Sequence, residues 1–316
     1  MNPSELLYPT MSHGSFPILF SVCISGKHFS FQWCDTKSEI TIFFVRSNRD
    51  FFALIQKEGV HIFTFIALMK TSYLRSRAYL VGHIINMLGS FIFGYIAVCV
   101  WRALLGNSAE SDRMATYVMV SQALLWVTMF LPKSAYLYQK VRDGTLVFDL
   151  VRPTGIFFIA FSEVSGSALY NFIYRSIPIF ILGVILLGTD LPSTSTFSPF
   201  LISIIPAFII SFCLNYFVGI WAIRFLNFSA AQNMYYFLAN TLSGYFVPAE
   251  YFPEFFRPLV SCSPFAGMCY IPSKIYIGEI NPLRGISIQL LWVVILVAVS
   301  ILLTKTIKKS VQIQGG

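Results

Sequence analysis

The sequence predicts an all-α integral membrane protein. It has six transmembrane helices, both termini cytoplasmic, an amphipathic interfacial helix leading into the first span, and an external re-entrant helical segment before the last. Three observations carry this. Of the 316 residues, 56% are hydrophobic and 11% charged, against roughly 45–50% and 25% in soluble globular proteins. The 22 basic and 14 acidic residues cannot cover a 35.7 kDa globule, and mean hydropathy is +0.70. Apolar runs long enough to span a bilayer recur, with Lys and Arg gathered on one side of them. The 32 Phe, 16 Tyr and 5 Trp exclude a disordered chain.

Residues 1–59 differ from the rest. They carry scattered Pro, Ser, Lys and Asp, and no run reaches the roughly 18 residues a span needs. Phe16 to Ile24 lacks the basic start and small-residue cleavage site of a signal peptide. Two readings stay open: a poorly ordered tail, or a misassigned N-terminal extension. Residues 60–80 place Phe63, Phe65, Ile66, Met69 and Leu74 beside Lys70, Arg75 and Arg77. That is a basic amphipathic helix, expected to lie in the interface plane.

The spans are expected at about 81–101, 115–137, 161–188, 197–221, 230–247 and 287–304. Pro178 and Pro206 fall within spans, where neighbouring helices can satisfy the freed carbonyls. With the N-terminus inside, the inner segments hold Lys70, Arg75, Arg77, Lys133, Lys140, Arg142, Arg152, Arg224, Lys305, Lys308 and Lys309. The outer segments hold only Arg102, Arg113, Arg257, Lys274 and Arg284, which sets the orientation. In this setting the net charge of +8 reflects cytoplasmic Lys and Arg. No basic run is interleaved with exposed stacking aromatics, so nucleic acid is not an expected partner.

Two connections are unusual. Residues 140–155 alternate charge with Leu, Val and Phe, as a short amphipathic helix would. Residues 248–286 are rich in Pro and aromatics and only mildly charged, which fits two short broken helices dipping back against protein. Cys262 and Cys269 in this segment are either a disulfide or two free thiols. No cysteine pair has the spacing of a zinc site, so no metal is expected.

Catalytic signatures are missing. There is no GxxxxGK[ST] loop to cradle a nucleotide, no HExxH and no GxSxG. His83 and Asn86 share a face of the first span and read as a satisfied polar pair. Glu163 and Arg175 are the intramembrane charges, the usual functional flags in a bilayer. Twelve residues of helix set them about 18 Å apart, so they do not pair with each other. Ser90 with Gly94, and Ser162 with Gly166, are small-xxx-small pairs, suited to intrachain packing or to dimerisation.

These residues resemble the permease subunits of ABC type-2 exporters, the bacterial group with a separate ATPase chain. Three stretches carry the likeness. The first is the basic helix with Lys70, Tyr73, Arg75 and Arg77-Ala78. The second is Asp143-Gly144-Thr145-Leu146 followed by Asp149-Leu150-Val151-Arg152-Pro153, similar to the family's G-x-[LI]-x-x-x-L-x-[RK]-P loop. The third is Ser243-Gly244, Pro248, Phe252-Pro253 and Pro264-Phe265, similar to its segment after the fifth span. The likeness covers roughly residues 60–310.

The resemblance implies a permease that forms the pathway as a dimer, homodimeric or heterodimeric, in a bacterial inner membrane among its lipids. An ABC ATP-binding subunit would dock beneath and carry the ATP and Mg, so this chain would hold no cofactor and catalyse nothing. Arg142, Asp143, Gly144, Leu146, Asp149, Leu150, Arg152 and Pro153 would form the ATPase-coupling contact. The plainer reading is a solvated loop that only sets topology. Gly244, Pro248, Phe252, Pro253, Pro264 and Phe265 would mark an external gate or a structural cap. The competing functions are an ion-coupled carrier, a structural or assembly membrane protein with no ATPase partner, and a lipid-modifying enzyme.

Overall fold

The computed structural model describes residues 33–35, 38–40, 51–78, 80–106, 108–129, 137, 140, 143–151, 154–225 and 228–314, with most side chains between 62 and 305. The chain divides into two units, 1–58 and 59–316. In the first, β1 (Trp33–Asp35) pairs antiparallel with β2 (Ser38–Ile40), with Cys34 opposite Glu39. Neither reading of 1–59 anticipated this hairpin; the rest of that segment lies outside the described residues, apart from the start of α1.

The helices are α1 (Phe51–Arg77), α2 (Leu80–Leu105), α3 (Ala109–Thr128), α4 (Leu146–Val151), α5 (Ile156–Leu187), α6 (Thr194–Phe225), α7 (Phe228–Leu242), α8 (Arg257–Ser261), α9 (Tyr270–Tyr276) and α10 (Pro282–Gln314). A 3₁₀ turn, Ala249–Tyr251, precedes α8.

Among the described residues, four helices are long and apolar enough to cross a membrane: α2, α5, α6 and α10. The two remaining expected spans depart from that pattern for different reasons. Helix α3 starts at Ser108, whose hydroxyl accepts from the Ser111 amide, and Glu110 and Asp112 in its first turn favour the helix dipole. Those charges lower its hydropathy. Yet residues 114–129 are all buried, so α3 is the central helix. Its polar groups find protein partners: Ser121 meets Ser273 at 3.0 Å, and Gln122 donates to the Ser90 hydroxyl at 2.8 Å. Helix α7 is only 15 residues, about 22 Å, because the chain turns at Gly244, which has φ +75°. A Cβ there would lie 2.8 Å from the Tyr270 Cβ, so glycine is required twice over.

Helix α5 holds a π turn at Phe172–Ser176, where the Ile177 amide reaches back to the Phe172 carbonyl. Pro178 follows at once. A proline has no amide to donate and clashes with the carbonyl four residues earlier. The widened turn takes up that misfit.

Both small-residue pairs pack within the chain. A Cβ on Gly94 would lie 3.1 Å from Gln122 of α3. Gly166 lets the Met69 carbonyl of α1 approach so closely that a Cβ would sit 2.1 Å from it. Helix α1 therefore runs along α5 instead of lying free in an interface. Phe65 meets Phe158 and Phe161, Ser72 bonds Ser167 at 2.9 Å, and Tyr73 meets Tyr170. The contacts advance in the same direction along both helices.

Candidate functional site

Three clusters hold the expected functional residues. The first is the connection between α3 and α5. Gly144 takes a left-handed φ of +69°, which turns the chain into the short α4. Leu146 is 2% exposed and anchors α4 in the main core. Asp149 is buried and accepts a hydrogen bond from Lys140, whose ammonium is 3.9 Å from the Glu163 carboxylate. Asp149 therefore faces inward, toward Lys140. Asp143, Gly144 and Thr145 are exposed, and Phe148 is 71% exposed. Arg142, Arg152, Pro153 and the Leu150 side chain lie outside the described residues. Lys140 and Phe148 escaped the sequence argument as site residues: Lys140 entered it only as a topology marker, and Phe148 as one apolar residue among several.

The second cluster surrounds Arg175 on the π turn. Arg175 donates to His83 Nδ1, and its guanidinium carbon lies 3.9 Å from the centre of the Trp126 ring. His83 Nε2 donates to the Ser76 carbonyl at 2.6 Å, which fixes the neutral tautomer with its proton on Nε2. Glu163 and Arg175 do take separate partners, and the imidazole's partner is Arg175, not Asn86. On α1, Lys70, Arg75 and Arg77 are exposed, while Tyr73 is partly buried against α5.

The third is the segment after α7, which folds as α8 and α9 packed on protein. Helix α9 is wholly buried. Tyr117 donates to the Gly244 carbonyl at 2.6 Å, and the Tyr270 amide to the Ser243 carbonyl at 2.9 Å. Pro248 is buried, Phe252, Pro264 and Phe265 are partly buried, and Pro253 is exposed. A cavity of about 420 Å³ opens here, lined by Glu110, Arg113, Tyr117, Glu250, Lys274 and Glu279 among others. Lys274, buried, bonds Glu279 and lies 2.9 Å from Glu250, which also accepts from Tyr270 at 2.8 Å. Burial alone would raise the Glu250 carboxyl, but Lys274 and Tyr270 outweigh it and hold it below its ordinary range. Cys262 and Cys269 are free thiols, the first exposed and the second buried. Burial pushes the Cys269 thiol up to about 11.

Among the described residues, these clusters contain no nucleophile with an adjacent base. They comprise a braced loop, a buried arginine on a π turn within a long helix, and a packed lobe over a polar cavity. A protein-family model described as "ABC-2 family transporter protein" matches residues 84–315. The match takes in α2 from Ile84 to the end of α10 and omits α1. No curated protein matches the chain.

Proposed function

The chain belongs to the ABC-2 family of transporter proteins, and from that premise we propose that it is the non-enzymatic permease of an ATP-driven exporter. Two copies, identical or related, form the translocation pathway across a bacterial inner membrane. A separate ABC subunit beneath them binds ATP and Mg. In this reading α3 and α7 complete a set of six spans, and both termini face the cytoplasm. The α8–α9 lobe dips back into the outer leaflet as a gate.

The observation that carries the coupling reading is the split of α4 into two faces. Leu146 and Asp149 tie it to the core and to Lys140. Phe148 stands out at the opposite side, 71% exposed. A short helix fixed to the transmembrane core, with an unpartnered aromatic knob, suits a groove in an ATP-binding subunit. Asp143 and Thr145 at its exposed start add polar contacts. A push from below would pass through the Lys140–Asp149 and Lys140–Glu163 pairs into α5.

The test is co-purification. The tagged full chain is extracted in mild detergent, and proteins retained with it are identified by mass spectrometry. The expected result is a near-stoichiometric ATP-binding cassette protein that is lost in Phe148→Asp. A chain that purifies with no nucleotide-binding partner, under conditions where a known ABC complex survives, would falsify the reading.

A further inference from the structure

We propose that Arg175 and Tyr170 form a binding site for the phosphate headgroup of an anionic lipid, at the elbow where α1 gives way to α2. Arg175 is a permanent cation and only 7% exposed. One of its terminal nitrogens is on His83 and its face is on Trp126, but its Nε has no hydrogen-bond partner. Among the described residues, no carboxylate lies within ion-pairing distance of it. A fixed charge buried without a counter-charge is among the costliest arrangements in a membrane protein. An arriving anion removes that cost.

A further donor is orphaned beside it. The Tyr170 hydroxyl is buried without a partner, and the imidazole of His83 meets both the Tyr170 ring and Arg175. The Tyr170 ring lies 4.8 Å from both the His83 ring and the Tyr174 ring. Tyr73 and Tyr174 cover it from outside, their hydroxyls 3.5 Å apart, too long for a firm bond. An entering headgroup displaces that loose contact. Exposed Arg77 lies one turn beyond Tyr73, and its charge reaches both Tyr73 and Tyr170. Guanidinium forks and phenol hydroxyls without a competing carboxylate suit a phosphate group.

The flanks identify what carries the phosphate. On α2, Val81, Ile84 and Ile85 are 73%, 54% and 65% exposed, and Ile173 and Ile177, two residues before and after Arg175 in the sequence, are exposed too. A free ion makes no use of apolar walls. A lipid fills both, its headgroup at the arginines and its chains along the isoleucines.

The test uses the full chain in neutral detergent, with any co-purifying subunit retained, and follows Tm by tryptophan fluorescence. Phosphatidylglycerol is expected to raise Tm saturably, by several degrees. Phosphatidylcholine and inorganic phosphate at the same concentration are expected to leave it within a degree. In Arg175→Gln the response to phosphatidylglycerol should fall at least tenfold in midpoint. Tyr170→Phe keeps the ring stack and removes one oxygen, so it serves if Arg175→Gln does not fold. Its midpoint should weaken at least threefold. An equal response to phosphatidylcholine, or an unchanged midpoint in Tyr170→Phe, overturns the site. Saturation by inorganic phosphate overturns the lipid as its ligand. No ATP-binding partner is needed, so the result is independent of the coupling reading.

Discussion

Gly166 of α5 and Met69 of α1 touch backbone to backbone. A Cβ on Gly166 would lie 2.1 Å from the Met69 carbonyl oxygen. That contact seats α1 on α5 and brings Tyr73 beside Tyr170. Gly166→Ala should therefore destabilise the protein by about 1–3 kcal/mol, although alanine is the better helix former by about 0.5–1 kcal/mol. Gly89→Ala on α2 is the control, because nothing lies within 4 Å of its Cβ position. Thermal unfolding in detergent should show a lower Tm for the first and an equal or higher Tm for the second. A higher Tm for Gly166→Ala would mean that α1 is not docked on α5.

Lys140 stands between Asp149 and Glu163, and all three side chains are largely sheltered. Lys140→Met should cost about 1–3 kcal/mol, since a buried group that loses a charged partner bears its desolvation. Adding Asp149→Asn should recover part of the loss. Strictly additive losses in the double variant would show that the pair is not coupled.

Cys262 and Cys269, which flank the connection between α8 and α9, should differ in reactivity. With Cys262 as the sole cysteine, a membrane-impermeant maleimide should label intact cells. With Cys269 alone it should not. Cys269 is buried, and a thiol pushed up to about 11 is ionised only about one part in ten thousand at neutral pH. Absence of labelling at Cys262, with labelling restored after lysis, would place this segment on the cytoplasmic side.

Acid should open the α8–α9 lobe late. The Glu250 carboxyl is held below its ordinary range, so its contribution to stability is full above the unfolded carboxylate pKa of about 4.3. It is lost only as pH falls through the lowered folded value. Hydrogen exchange in residues 270–276 should stay slow from neutral pH to about 5 and rise below the ordinary carboxylate range. Glu250→Gln should speed it already at neutral pH. Loss of protection in the wild type between pH 7 and 6 would contradict this account.

The legible part of the fold was the part that faces lipid. Helices α2 and α10 expose many apolar residues, Val81 and Leu283 among them, and hydropathy alone located them, as it did α5 and α6. Helix α3 was expected to run to about residue 137 and ends at Thr128; α7 was expected to reach 247 and ends at Leu242. The second boundary is decided by protein contacts: Tyr270 and Tyr117 hold the chain in its turn at Gly244. The G-x-L-x-x-x-L-x-R-P motif marked the α4 loop, but could not show which way Asp149 faces. That depends on Lys140, nine residues away and across a turn. The pairing of His83 with Arg175 spans 92 residues and left no local pattern to read.

The central position of α3 bears on how the protein is made. A helix with Glu110, Asp112 and Arg113 in its first turns, and with Ser121 and Gln122 in its middle, is a poor solute for hydrocarbon. Its polar groups are satisfied by Ser90 of α2, synthesised before it, and by Ser273 of α9, synthesised about 150 residues later. In the six-span reading, the short link at 106–108 would let α2 and α3 enter the bilayer together as a hairpin. Nascent α3 would then wait, half-matched and shielded by α2 alone, until the α8–α9 lobe emerges to close over it. Chains truncated before residue 270 should accordingly be far more sensitive to membrane proteases than full-length ones, and equal lifetimes would refute that order of assembly.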